Sequence, residues 1–319
     1  YEIASCLVGS EMCIRDRTAA FLDSRFNLSF DFYSNTTYDM LMSVNLPPSV
    51  GTSSMNVNFG QLNNKGLDLS LSAQIIRNKD WFWSVTLTGG HVMDQIRKIS
   101  QGLKNDIDNP YDSSKPKILF VEGGSQYDIY AMRSAGIDPA TGKEIFIKKN
   151  GEYTFNYDEK ERVAVGNTNP ILQGSLMNTL RYKGFSISVA TSYTFGSDYF
   201  NSTLKNKVEN IDLNYNVDRR VFTDRWKEPG DHTRFLGIGT SSSSSQYSER
   251  FVEKRNELYI SSIQVMYDFA PKAITRLGLR KLAIGFGLSD IAHISTVKFE
   301  RGTDYPYCRG INLIFRPTF

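Results

Sequence analysis

Apolar and polar residues alternate one for one along segment after segment of this 319-residue chain. In Arg25–Tyr33, Phe26, Leu28, Phe30 and Phe32 interleave with Asn27, Ser29 and Asp31. Leu67, Leu69, Leu71, Ala73 and Ile75 do the same against Asp68, Ser70, Ser72 and Gln74. Phe185, Ile187, Val189, Tyr193 and Phe195 alternate with Ser186, Ser188, Ala190, Ser192 and Thr194. Leu282, Ile284, Phe286 and Leu288 alternate with Ala283, Gly285 and Gly287, and Ile311, Leu313, Phe315 and Phe319 close the chain in the same rhythm. Successive side chains of a strand point to opposite faces, so this period predicts strands with one apolar and one polar face. Weaker versions at Thr37–Asn45, Trp81–Met93, Gly174–Tyr182 and Glu257–Phe269 bring the expected number of strands to nine.

The connections narrow the architecture. Short links at Ser34–Thr36, Arg77–Asp80, Lys183–Gly184 and Ala270–Arg280 take turns with long ones at Leu46–Asn64, Asp94–Gln173, Gly196–Asn256 and Ser289–Cys308. Such alternation suits an antiparallel up-and-down barrel with one plain rim and one elaborated rim. A β-sandwich moves strands between sheets and has no reason to sort its loops in this way. Strands of about 9–11 tilted residues are also long enough to cross a bilayer. Trp81, Trp83, Tyr182, Tyr193 and Tyr267 stand near the ends of the apolar stripes, as an interfacial aromatic girdle would. A soluble β-sandwich or propeller, with the apolar stripe as a packed core, is the rival reading.

Composition removes other classes. No purely apolar run exceeds four residues, so no helix can span a membrane, whereas a barrel needs no such run. A net charge of +3 argues against nucleic acid as a partner. His91, His232 and His293 are isolated, which leaves no zinc set and no His-based triad. Gly136–Lys143 (GIDPATGK) has the wrong glycine spacing for a phosphate loop, and Glu144 stands where Ser or Thr should follow the lysine; a turn is the better reading. Asp106, Asp108 and Asp112 lack the spacing of a calcium loop, and Ser241–Ser245 is flexible loop rather than a source of a nucleophile. Asp198–Trp226 and the region of Tyr305 and Tyr307 have a composition suited to stacking on sugars or to packing. The expectation is no enzyme and no cofactor.

The opening YEIASCLVGSEMCIRDR has neither the basic start nor the apolar core of a signal peptide. Its Leu7–Asp16 stretch back-translates to a sequencing-adapter string, so residues 1–17, with Cys6 and Cys13, are expected to be an artefact with no structural part. Residues 18–319 are then expected to carry the fold as a fragment of a longer chain, with Cys308 unable to form an internal disulfide.

Several segments taken together resemble the C-terminal part of the SusC/RagA family of TonB-dependent outer-membrane transporters. They are NFGQLNNKGLDLSL (58–71), SAGIDPATGKEIFI (134–147), VGNTNPILQGSLMNTLRYKGFSI (165–187), DRRVFTDRWKEPGD (218–231) and STVKFERGTDYPYCRGINLIF (295–315). Within the second lies a turn motif, Gly136, Asp138, Pro139, Thr141 and Gly142. A terminal Phe319 following Leu313 and Phe315 resembles the assembly signal of bacterial outer-membrane barrels.

The resemblance implies an all-β fold, a partial transmembrane barrel of about nine C-terminal strands with long extracellular loops, in the outer membrane. A whole transporter of this kind has a barrel of about 22 strands around a plug. Nine final strands then put every short link in the periplasm and every long one outside. Phe185, Ile187, Val189, Phe195, Leu282, Ile284 and Phe286 are expected to face lipid. The implied function is import of an oligosaccharide or peptide with a SusD-like lipoprotein, driven by the TonB complex through upstream parts absent here. A siderophore or cobalamin receptor is the alternative within the same architecture.

Overall fold

A computed structural model describes residues 9–45, 49, 51–52, 54–99, 120–211, 214, 216–239, 247–270, 274, 278–298 and 308–318. Fourteen strands occur among them. The long ones are β1 (Gly9–Phe21), β2 (Phe26–Asn45), β3 (Ser54–Arg77), β4 (Trp81–Ile99), β10 (Leu172–Tyr182), β11 (Phe185–Phe200), β12 (Val252–Asp268), β13 (Lys281–Ser295) and β14 (Gly310–Thr318). Between β4 and β10 lie the short strands β5 (Asp128–Ala131), β6 (Arg133–Ile137), β7 (Glu144–Ile147), β8 (Tyr153–Thr154) and β9 (Val163–Asn167).

The nine long strands form one antiparallel sheet in the order β1-β2-β3-β4-β10-β11-β12-β13-β14. Each pairs with its neighbour along the chain once the short strands are set aside, the topology of a barrel wall. The sheet does not close on itself among the described residues, and β1 and β14 are its edges. No helix among them is long and apolar enough to cross a membrane.

Register places like residues in rows. Phe185, Tyr267, Ile284 and Phe315 lie opposite one another across β11 to β14, followed by Ile187, Val265, Phe286 and Leu313. Rings meet near the short-turn end, with Phe185 and Tyr267 4.5 Å apart and Trp81 and Tyr182 4.2 Å apart. This face is bare: Phe185, Ile187, Phe195, Ile284, Phe286 and Phe315 are all exposed, and Leu313 is 85% exposed. Val189 is half-buried on the same face. Leu282 shares the face by register but is buried, at the foot of β13 after a connection that carries the buried Ile274. Phe319 lies outside the described residues.

The opposite face is polar and bonds across strands. Thr88 and Ser175 share a hydroxyl contact of 2.8 Å, Ser72 and Thr86 one of 3.3 Å, and Thr179 and Ser188 one of 3.4 Å. Two polar groups on the apolar face are satisfied internally. Asn178 accepts from the Trp83 indole N–H at 2.9 Å, and the Tyr193 hydroxyl donates to the Thr88 carbonyl at 2.7 Å. To arrive there Tyr193 crosses Gly174, where a Cβ would stand 2.7 Å from its hydroxyl, so glycine is required at that point.

One expectation is corrected. Ser34–Thr36 is no turn: β2 runs unbroken from Phe26 to Asn45, and the tight turn before it lies at Leu22–Arg25, where Leu22, Asp23 and Ser24 have φ of 52° to 60°. Residues 9–17 form most of β1 and pair with β2 from Gly9↔Tyr38 onward. An open edge offers its N–H and C=O groups to any extended segment. The pairing asks nothing of the β1 side chains, of which only Ala19 is more than marginally covered. The number of long strands is nine, reached by a different division of the first forty-five residues.

Candidate functional site

Short turns such as Lys183–Gly184 lie at one end of the sheet, and the described parts of the long connections gather at the other. β5 pairs with β9, and β6, β7 and β8 form a three-stranded sheet. Met132 N–H donates to Tyr247 O at 3.2 Å and Glu249 N–H to Met132 O at 3.1 Å, which ties the first long connection to the second.

The Gly136–Gly142 stretch spans the end of β6 and the β6–β7 turn. The Asp138 carboxylate accepts from Ala140 N–H at 3.1 Å and from the Thr141 hydroxyl at 2.6 Å, and those bonds hold its pKa below the ordinary carboxylate value. Gly142 has φ +67°, and a Cβ there would sit 2.4 Å from the Trp226 ring. The Trp226 indole donates to Pro139 O at 2.9 Å, so the turn is clasped by the 218–237 segment. Trp226 thus packs on this turn. Asp198 is also engaged, accepting from Asn167 N–H at 2.9 Å and pairing with Lys254 at 2.7 Å.

A buried ionic cluster lies beneath. Arg250 donates to Glu144 and to Glu209, each at 2.7 Å, with side-chain exposures of 6%, 4% and 0% in that order. Glu144 also accepts from the Ser248 hydroxyl, and Glu209 from Leu236 N–H at 3.1 Å. Burial alone lowers the pKa of the Arg250 guanidinium, but the two carboxylates outweigh it and hold the group above its ordinary value. Arg225 is buried and donates to the carbonyls of Val208, Glu209, Leu236 and Gly237 at 2.6–3.2 Å. Beside it, Leu204, Val208, Phe235 and Phe251 form an apolar core with Phe200 against it. Burial pushes the Tyr157 phenol up to about 12, the Arg162 charge opposing and Glu159 adding, and its hydroxyl is a buried atom with no hydrogen-bond partner.

Nothing in this cluster has the arrangement of a catalytic set. Among the described residues no group of three His, Cys, Asp or Glu side chains could hold a metal ion. Asp106, Asp108, Asp112, Ser241–Ser245, Tyr305 and Tyr307 lie outside the described residues. The ionic cluster was invisible to sequence reasoning, because its members are separated by 41 and 106 positions and carry no periodic signal.

Comparison with known proteins follows from this geometry. Residues 14–211 match the family model described as TonB dependent receptor-like, beta-barrel. TonB-dependent receptor P39 of Formosa agariphila is 25% identical over 84% of this chain and 30% of its own length. TonB-dependent receptor SusC of Bacteroides thetaiotaomicron is 25% identical over 78% of this chain and 25% of its own length. The chain thus spans less than a third of these relatives. Among solved structures, the RagAB peptide transporter superposes with a TM-score of 0.75 at 21% identity, covering 90% of this chain and 32% of that one. These relatives are receptors and transporters, not enzymes, and they are outer-membrane β-barrel proteins. With its open nine-stranded antiparallel wall, this chain belongs to the TonB-dependent receptor-like β-barrel family.

Proposed function

We propose that this chain forms the C-terminal wall of an outer-membrane importer that works with a SusD-like surface lipoprotein and takes up an oligosaccharide or a peptide. Energy reaches it from the TonB complex through parts of the longer protein. The observation that carries the reading is the sheet's division of labour: one continuous bare apolar face, one hydroxyl-rich face, and built-up connections at one rim only. Bare aromatic and aliphatic rows suit contact with lipid, and a hydroxyl-lined wall suits a wet lumen. Both sheet edges must be paired in a bilayer, since each open backbone group in hydrocarbon costs several kcal/mol. Among the relatives, SusC and the RagAB peptide transporter bear names that favour nutrient uptake.

In this reading the apolar face that carries Phe185, Ile187, Val189, Phe195, Ile284 and Phe286 meets lipid. The connections 100–171 and 201–251 lie outside the cell, and Lys183–Gly184 lies in the periplasm. The test is uptake of glycan and peptide mixtures by cells expressing the complete protein, with and without a functional TonB system. Energy-dependent uptake that falls to background without TonB is the expected result. Uptake that survives loss of TonB, or that is confined to iron chelates, overturns the proposal.

A further inference from the structure

We propose that the short-turn end of the hydroxyl-rich face docks an acidic segment of the longer protein through a collar of Arg77, Arg181, Lys281 and Arg316. The inference rests on the reading that this face lines a lumen, and it names the chemistry of what the lumen holds at that end. Register fixes the side. Arg77 of β3 pairs with Phe82 of β4, and Phe82 pairs with Arg181 of β10. Arg181 pairs in turn with Ser186, which stands between Phe185 and Ile187 of the apolar stripe, so this row lies on the opposite side. Arg316 pairs with Ala283, between Leu282 and Ile284, and Lys281 precedes Leu282 on the same strand. All four cations are exposed.

Their charge is not answered within the chain. Asp268, which pairs with Ala283, is the acid that shares these closing rows among the described residues. In the adjoining turns Lys79, Lys183 and Arg280 outnumber Asp80, while Asp23 offsets Arg25. Ion pairs among the described residues lie toward the long-loop rim, as with Arg250 and Glu144, Arg234 and Glu253, or Lys254 and Asp198, and none includes a collar cation. Level with the apolar stripe, the hydroxyl-rich face of β10 to β14 carries no charge; Thr179, Ser188, Gln264 and Asn312 are typical of it. The cations thus form a band at one end of an otherwise neutral wall. Like charges grouped on one surface repel one another and are stabilised by a complementary acidic surface. Three of the four are Arg, whose fork suits the two oxygens of a carboxylate. The Arg181 guanidinium lies 5.1 Å from the centre of the Phe82 ring, a contact that steadies it without using its N–H donors. The collar faces away from the apolar stripe, which favours a polypeptide over lipid headgroups. The chain spans less than a third of its relatives, so most of the longer protein remains to meet this face.

The test is zero-length cross-linking of the purified full-length protein in detergent. A carbodiimide joins an ammonium to a carboxylate as an amide, itself taking up the water lost, and so reports only groups in contact. Lys281 serves directly, and Arg77→Lys and Arg181→Lys put an ammonium at two further collar positions while keeping the charge. Peptide mapping is expected to join at least two of these positions to Asp or Glu residues of the longer protein outside residues 1–319. A second arm follows hydrogen exchange of the linked segment, with the amides of β10 and β11 as the control for an intact wall. Exchange of that segment is expected to speed about tenfold in Arg77→Gln/Arg181→Gln/Arg316→Gln, and also in wild type at about 1 M salt, where charges are screened beyond about 3 Å. No cross-links, links only to Asp80 or Asp268, links only to a co-purifying protein, or exchange unchanged by both the variant and salt would overturn the proposal. Cross-linking needs no uptake, so its failure is distinct from a failure of TonB-dependent uptake in cells.

Discussion

Replacing Arg250 with alanine removes one cation from between two carboxylates that water barely reaches. Glu144 keeps the Ser248 hydroxyl and Glu209 keeps Leu236 N–H, but neither keeps a counter-charge from Arg250. Breaking a buried pair by removing one partner typically costs about 3–5 kcal/mol, because the charge left behind has lost its solvent as well as its partner. The guanidinium also lies 4.9 Å from the centre of the Phe251 ring, a contact worth about 0.5–2 kcal/mol. At 1.36 kcal/mol per tenfold, the pair alone corresponds to opening of the loop cluster that is on the order of a hundred to a few thousand times more frequent.

The assay is native-state hydrogen exchange on the complete protein in detergent, following the amides of Met132 and Glu249, which bridge the two connections, and of Leu236, which donates to Glu209. Protection is expected to collapse there and to persist in β10 and β11. The decisive comparison is the triple variant Arg250→Met/Glu144→Gln/Glu209→Gln, which removes all three charges. If uncompensated burial of charge is the cause, protection returns in large part. A loss below tenfold in Arg250→Ala, or a triple variant no better than the single, would refute the reasoning.

Three other outcomes are expected. Arg at Val189 on the apolar face should cost about 2–4 kcal/mol in bilayer refolding and Arg at Ser188 far less, and equal losses would reject the face assignment. Gly142→Ala forces a side chain into a left-handed conformation against the Trp226 ring, so it should loosen the β6–β7 turn more than Trp226→Phe, which loses only the bond to Pro139; proteolysis of the turn in each variant measures this. Tyr157 is held neutral to about pH 12 when folded and titrates near pH 10 when unfolded, so its contribution is full below pH 10 and is lost as pH rises toward 12. Protection of the neighbouring loop amides, taken relative to their intrinsic base-catalysed exchange, should therefore fall over that window in wild type and not in Tyr157→Phe.

The wall was legible in the sequence wherever it separates two environments. Phe185–Phe195 alternates because one side of β11 is apolar and the other hydroxylic, and the structure keeps that register without a break against β10. Legibility failed where both sides of a strand are polar. Ser34, Asn35, Thr36 and Thr37 belong to β2 and pair with Lys65, Asn64, Asn63 and Leu62 of β3, yet the loss of an apolar stripe there mimics a turn. The expected link Leu46–Asn64 covers the first half of β3, although Met55, Val57 and Phe59 alternate there with Asn56 and Asn58. The rim assembly left even less trace, since contacts such as Arg250 with Glu144 and Trp226 with Pro139 join residues 106 and 87 positions apart. Gly142 alone hinted at it, as a turn glycine whose need for a bare Cα comes as much from a distant ring as from its own φ.

The apolar stripe of β11 also measures something. It begins at Phe185, whose ring meets Tyr267, and ends at Tyr193 and Phe195, which stack at 5.6 Å. Ten steps of about 3.3 Å give a path of about 33 Å, or about 25 Å of vertical height at a strand tilt of about 40°. β2 and β3 stay paired beyond Ser34↔Lys65 as far as Asn45↔Ser54, so these two strands are longer than β11. A hydrophobic belt of about 25 Å is shorter than the ~30 Å hydrocarbon core of an average bilayer and suits the thinner bacterial outer membrane. Long-chain lipids would have to thin around the protein, at fractions of a kcal/mol per Å of mismatch spread along its whole perimeter. Bilayer thickness thus becomes a selective force on the length of this stripe, independent of anything the barrel carries.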